Sequence, residues 1–260
     1  MKKTVAIMAI LLGAFFFAPN MLVAGVPEAS LLEGVKPGPD GRIDIVTMFP
    51  HQDDELNAAG TFIKLKKEDP RVRTHIVCFT LGELSGAKET LNLTPEFQGK
   101  IRTQELEAAA TVIGVDSLIQ LQYHDQGLAG VAPEDLRKKV LEVIDRTGAE
   151  IVITYGPDGM TGHMDHITLS KAVTDAFQDS SAQKLYYAAM PKSICPLVKA
   201  LNQIGCTEAA IKVDIRPYKK MKKLAWYEHA TQKFFSGPIP SPDLTFLRDY
   251  EYFQPAKTNP

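Results

Sequence analysis

The chain has 260 residues, a formal charge of −2 and 45% hydrophobic residues, enough to bury one substantial core. It has no broad basic excess to neutralise phosphates, which excludes a general nucleic-acid binder. Three cysteines, none in CxxC spacing, exclude a zinc ribbon or a dithiol redox centre.

At the N-terminus, Lys2 and Lys3 precede an apolar run from Val5 to Ala18, then Pro19 and Leu22–Gly25. This is the order of an export signal with its exit near Ala24, and the run is short for a membrane span. Residues 1–24 are therefore expected to be a signal peptide. The mature protein is expected to be periplasmic, cell-surface or extracellular, with membrane association only if this segment stays uncleaved. Residues 25–40, rich in Gly and Pro, read as a linker or surface loop before one domain over 41–260.

From there strand and helix patterns alternate. The run IDIVTM is strand-like, and Glu55–Glu68 carries helical periodicity. Thr74–Leu81 is a second buried strand, followed by a polar loop and a helix over Ile101–Gly114. SLIQLQY is a third strand and Pro133–Thr147 a helix. Glu150–Gly156 is a fourth strand, His166–Gln178 a helix and KLYYAAM a fifth strand. Such alternation of near-continuous apolar strands with helices predicts an α/β fold, a Rossmann-like three-layer sandwich with a mostly parallel sheet. Ligands bind such sheets outside the carboxyl ends of the strands. MFPHQDDE, TLGELSG, HDQG and YGPDGMTGHMDH all fall at those ends. The basic run Tyr218–Lys223 reads as a solvated helix face. Cys195 and Cys206 are placed to close a disulfide, and Cys78 reads as a buried small hydrophobe.

Three of the six histidines lie in two of these loops, His51 beside Asp53 and Asp54, and His163 and His166 around Asp165. A lone histidine is more often structural, but two histidines and an acid, with a position left for water, are the composition of a catalytic zinc site. Adjacent acids in a bare turn would only repel each other.

The chain here resembles the LmbE/PIG-L family of N-acetylglucosaminyl deacetylases. PHQDDE matches that family's HPDDE motif and HMDH its later HPDH-like motif. FTLGELSG, RTQELEAAATVIGV and HATQ match three further segments in order. The resemblance implies a zinc-dependent hydrolase, with another divalent metal such as Fe²⁺ as the alternative, acting on an N-acetylated amino sugar or glycan. It implies His51, Asp54 and His166 as metal ligands, Asp53 as general base, and His163 as the oxyanion-stabilising group, with Asp165 pairing with it to keep it charged. Glu83, Arg102 and Asp125 are expected at the pocket rim, binding substrate hydroxyls or closing internal salt bridges, and His229 is expected either to contact substrate or to cap a helix.

Gln52 and Met164 stand where the family has proline. Gln52 is expected to add a polar contact near the substrate, and Glu55 to cap the following helix. His75 and His124 are expected to be structural. Two other readings stay open: a metal-dependent amidase for another acylated sugar or sugar conjugate, and a non-catalytic glycan-binding module.

Overall fold

The computed structural model describes residues 25–234 and 248–258; the expected export signal, residues 1–24, lies outside them. The described chain forms β1 (Ile43–Phe49), α1 (Ala59–Glu68), β2 (Val72–Thr80), α2 (Ala87–Leu91), α3 (Pro95–Ile113), β3 (Ser117–Tyr123), α4 (Pro133–Thr147), β4 (Ile151–Tyr155), α5 (Met164–Phe177), β5 (Lys184–Ala188), α6 (Cys195–Asn202), β6 (Ile211–Asp214), α7 (Lys219–Glu228) and β7 (Tyr250–Thr258). The seven strands make one sheet in the order β3-β2-β1-β4-β5-β7-β6. The first five run parallel, and β7 is antiparallel to both of its neighbours.

Alternating residues of β1 serve the two faces of this sheet. Ile43, Ile45 and Phe49 join a core with Phe62 of α1, Leu106 of α3 and Trp226 of α7. Val46 and Met48 join the opposite core with Val140 of α4 and Leu169 of α5. The expected three-layer architecture is what the chain adopts. Strand order reverses between β1 and β4, and the loops leaving those two neighbouring strands carry the two histidine motifs. A crevice at such a reversal is where open α/β sheets bind ligands.

Several boundaries differ from the sequence reading for local reasons. Residues 54–57 form a 3-10 turn, so α1 begins at Ala59 rather than Glu55. The N-terminus of α1 is closed from afar, its Gly60 and Thr61 N–H groups donating to the Glu251 carboxylate on β7 at 2.9 and 2.7 Å. Helix α3 begins at Pro95 rather than Ile101, because Thr94 caps it by accepting the Phe97 N–H and proline suits a first helical turn. The basic run heads α7, but Lys222 is buried and bonded to Glu251 at 2.7 Å rather than solvated. Within 25–40, Leu31 is fully buried in the core and Ala29 bonds to the Lys212 carbonyl. Cys195 and Cys206 are disulfide-bonded, and Cys78 is buried and free.

Candidate metal centre and active site

Strand β1 ends at Phe49, and the chain turns sharply through Pro50–Asp53. Asp53 adopts a left-handed backbone (φ 89°), a conformation that non-glycine residues hold only when their surroundings enforce it. The Asp53 N–H donates to Glu55 Oε2 at 2.9 Å, and the Gln52 carbonyl accepts from the Arg102 guanidinium. This turn presents the backbone N–H of His51 to Asp54 Oδ2 at 2.9 Å, drawing the two side chains together.

His166, on the first turn of α5, completes a triangle with them. His51 Nδ1 lies 3.0 Å from His166 Nε2. Asp54 Oδ2 lies 3.4 Å from His51 Nδ1 and 3.5 Å from His166 Nε2. Each member is aimed by a second contact on its far side. His166 Nδ1 donates to the Gly159 carbonyl at 2.9 Å, which leaves Nε2 as the lone-pair nitrogen, and its ring stacks on Tyr155. The Tyr155 hydroxyl donates to Asp54 Oδ1 at 2.6 Å, leaving Oδ2 for the triangle, and Asn57 Nδ2 donates to Tyr155 Oη at 3.0 Å. His51 Nε2 faces Asp125 at 3.2 Å and Asp165 at 3.4 Å. Two imidazole nitrogens and one carboxylate oxygen, each oriented from behind, fit a divalent transition metal. His163 brings a ring nitrogen within 4.8 Å of those of His51 and His166.

The structure corrects the role expected of Asp165. Its carboxylate accepts the backbone N–H groups of Gln126 at 2.7 Å and Leu128 at 3.0 Å and faces His51, while His163 Nδ1 accepts the Asp165 backbone N–H at 3.2 Å. His163 therefore caps α5 and presents Nε2–H, and among the described residues no carboxylate pairs with it to keep it charged.

The residues expected to contact substrate are buried, and their polar groups bond around the centre. Gln52, fully buried, donates to the Thr80 carbonyl at 3.0 Å and fastens the loop to the end of β2. Arg102 binds the carbonyls of Gly82 and Gln52, with Asp53 3.6 Å away. Gly82 has φ +62°, and a Cβ there would meet Gln52 Oε1 at 2.3 Å and Arg102 Nη1 at 2.4 Å, so only glycine suits this site. Asp125 braces His51 and accepts the Leu84 N–H, and Glu83 in turn accepts the Asp125 N–H. His229 is fully buried and pairs with Glu55 at 2.7 Å. Glu55 thus holds Asp53 and His229 rather than capping α1. Tyr155 and Asn57 were not singled out by sequence; the signal for Tyr155 is a hydroxyl at the carboxyl end of an otherwise apolar strand.

Electrostatics divide the adjacent acids. Burial pushes Asp53 up to about 7, with Arg102 opposing and Asp54 reinforcing the shift. Asp54 is buried too, yet His166, His51 and Tyr155 hold it far below the usual carboxylate range. Burial disfavours charge on His51, but its bonds to Asp125, Asp165 and Asp54 outweigh this and raise its pKa. Burial lowers the pKa values of His163 and His166. The arrangement brings three donor atoms able to hold a metal beside a largely buried carboxylate and a half-buried imidazole N–H on adjacent loops.

The chain resembles known proteins in sequence and in fold. The chain is 29% identical over 195 residues to a probable N-acetyl-α-D-glucosaminyl L-malate deacetylase 2 of Bacillus anthracis, covering 72% of this chain and 80% of that one. An N,N′-diacetylchitobiose deacetylase from Pyrococcus horikoshii shares the fold, with a TM-score of 0.62, 18% identity and coverage of 94% of this chain and 92% of that one. A 4-carboxy-2-hydroxymuconate hydratase from Pseudomonas putida KT2440 also shares it, with a TM-score of 0.61, 14% identity and coverage of 84% and 97%. The fold alone therefore does not fix the reaction. Residues 46–177, just over half the chain, match the family described as PIG-L, GlcNAc-PI de-N-acetylase, and with His51, Asp54 and His166 inside that span the chain belongs to the PIG-L family of deacetylases, hydrolases of amide bonds.

Proposed function

We propose that the protein is a zinc-dependent hydrolase that removes the acetyl group from an N-acetylglucosamine-containing substrate, releasing acetate and a free amine. The observation that carries this is the convergence of His51 Nδ1, Asp54 Oδ2 and His166 Nε2 within 3.5 Å of one another, beside half-buried Asp53 and His163. His51, Asp54 and His166 would hold the metal, which when bound supplies Lewis acidity and makes hydroxide available near neutral pH.

The chain's own groups supply the proton transfers. The Asp53 carboxylate, not spent on the triangle, takes the proton of the attacking water and returns it to the leaving amine nitrogen. His163 donates Nε2–H to the carbonyl oxygen as negative charge develops there. His163 acts as a neutral donor, because its Nδ1 already accepts the Asp165 N–H. Asp125 and Asp165 fix the His51 ring so that Nδ1 faces the metal position. We further propose that the protein works outside the cytoplasm, a reading supported by its charged-then-apolar N-terminus and by the Cys195–Cys206 disulfide.

The test is metal analysis of the purified protein together with amine release from N-acetylglucosamine conjugates and short oligomers. One equivalent of metal and chelator-sensitive amine release are expected. Metal-loaded protein that releases no amine from any acylated amino sugar would overturn the reading.

A further inference from the structure

Next to the His51–Asp54–His166 triangle, behind Asn57, lies a small cavity of about 30 Å³ between the carboxyl end of β5 and β7. Asn57 lines this cavity while donating to Tyr155 Oη and to the Asp54 carbonyl. The remainder of the wall includes Met160, Met190, Lys222, Arg248 and Tyr252.

The charges here do not cancel. Lys222 is committed to Glu251 at 2.7 Å, both side chains being under 5% exposed. Asp249, next to Arg248 in the chain, is held by Lys219 at 2.6 Å. Among the described residues Arg248 has no carboxylate within ion-pair distance, and its one hydrogen-bond acceptor is the Met190 thioether, 3.4 Å from Nη1. Burial lowers its pKa, with only the Tyr252 phenol opposing. Arg248 is half-buried; a guanidinium partly withdrawn from water without an anion is costly, and its planar fork matches a carboxylate or phosphate with two parallel hydrogen bonds. Nothing in the metal triangle or its supporting shell uses Arg248.

We propose that Arg248 forms an anion subsite beside the reaction centre, which receives a carboxylate or phosphate carried by the substrate. This rests on the hydrolase reading above and narrows it to acylated amino sugars bearing an anionic substituent. A neutral sugar would leave the guanidinium unpaired, so the subsite favours charged conjugates over neutral oligomers.

The test compares amine release by the metal-loaded protein from three substrates: methyl N-acetylglucosaminide, its carboxymethyl glycoside counterpart and N-acetylglucosamine 1-phosphate. The wild type is expected to favour at least one anionic substrate by roughly tenfold or more in kcat/KM, and which one identifies the anion. Arg248→Gln should bring that ratio near one. Arg248→Lys, which keeps the charge and loses the fork, should lower it several-fold and gives the same readout if the glutamine variant does not fold. A wild-type ratio near one for both anions, or a ratio unchanged in the variants, would overturn the proposal. If no substrate releases amine, the hydrolase reading fails, and calorimetric titration with inorganic phosphate then decides on the subsite. Saturable binding that Arg248→Gln abolishes supports it, and binding that is absent or independent of Arg248 refutes it.

Discussion

His229 Nε2 and Glu55 Oε1 lie 2.7 Å apart, both side chains almost wholly buried, although 174 residues separate them in the chain. The other Glu55 oxygen accepts the Asp53 N–H, so this pair ties the C-terminal half of the chain to the strained turn that presents Asp53. Burial opposes charge on His229, but Glu55 outweighs it and raises the pKa. Removing one partner of such a pair leaves a buried charge uncompensated. His229→Ala should therefore lose about 3–5 kcal/mol in urea denaturation. Its kcat should fall while the metal content of the folded fraction is kept.

Asp53→Asn tests the proton-transfer role. The amide is close in size but accepts no proton, so kcat for amine release should fall by about 10²–10⁴. Zinc content, measured by elemental analysis, should stay at the wild-type level. Near-wild-type turnover would show that another group takes the proton.

Asp125→Asn tests the bracing of His51. Its carboxylate faces His51 Nε2 at 3.2 Å, away from the triangle. Metal affinity, read by competition with a chromophoric chelator, should weaken by roughly 10–100-fold. Unchanged affinity would mean that Asp165 alone sets the ring.

Acid sensitivity should have an identifiable contribution at Asp116, between α3 and β3. Its carboxylate accepts from Lys66 Nζ at 2.7 Å and from the Thr74 N–H at 2.8 Å. Burial pushes its pKa up, but these bonds outweigh burial and hold it below the ordinary 3.8. A lowered folded pKa gives stabilisation that is complete above 3.8 and is lost as the pH falls through the folded value. The stability difference between wild type and Asp116→Asn should therefore be flat near neutrality and shrink in acid. A difference that grew in acid would contradict the sign.

The motifs His51–Asp54 and His163–His166 were legible because each is local, and strand–helix alternation alone brings their loops to one edge of the sheet. The fold was legible for the same reason, since apolar periodicity reports which face of each element is buried. Roles set by distant partners were not. Glu55 reads as a helix cap until His229 is folded against it. Gln52 reads as a substrate contact until Thr80 takes its amide, and Arg102 reads as a rim residue until the Gln52 and Gly82 carbonyls close on it. Asp165 misled for another reason: neighbours in sequence on a first helical turn suggested a side-chain pair, whereas the cap uses its backbone N–H and frees the carboxylate for His51. The start of α3 was within reach, since Thr94–Pro95 is a capping signal followed by a favoured first-turn residue.

The closure of α1 by Glu251 also has a bearing on the order in which the molecule can be completed. Gly60 and Thr61 emerge early in synthesis, yet the carboxylate that satisfies them follows about 190 residues later. Until β7 adds to the sheet, that helix end, the Lys222 ammonium and the wall of the Arg248 cavity all lack their partner. A nascent or C-terminally shortened chain would thus hold both histidine motifs and still be unfinished. Such dependence on a final, non-local strand slows folding and keeps the chain open for longer.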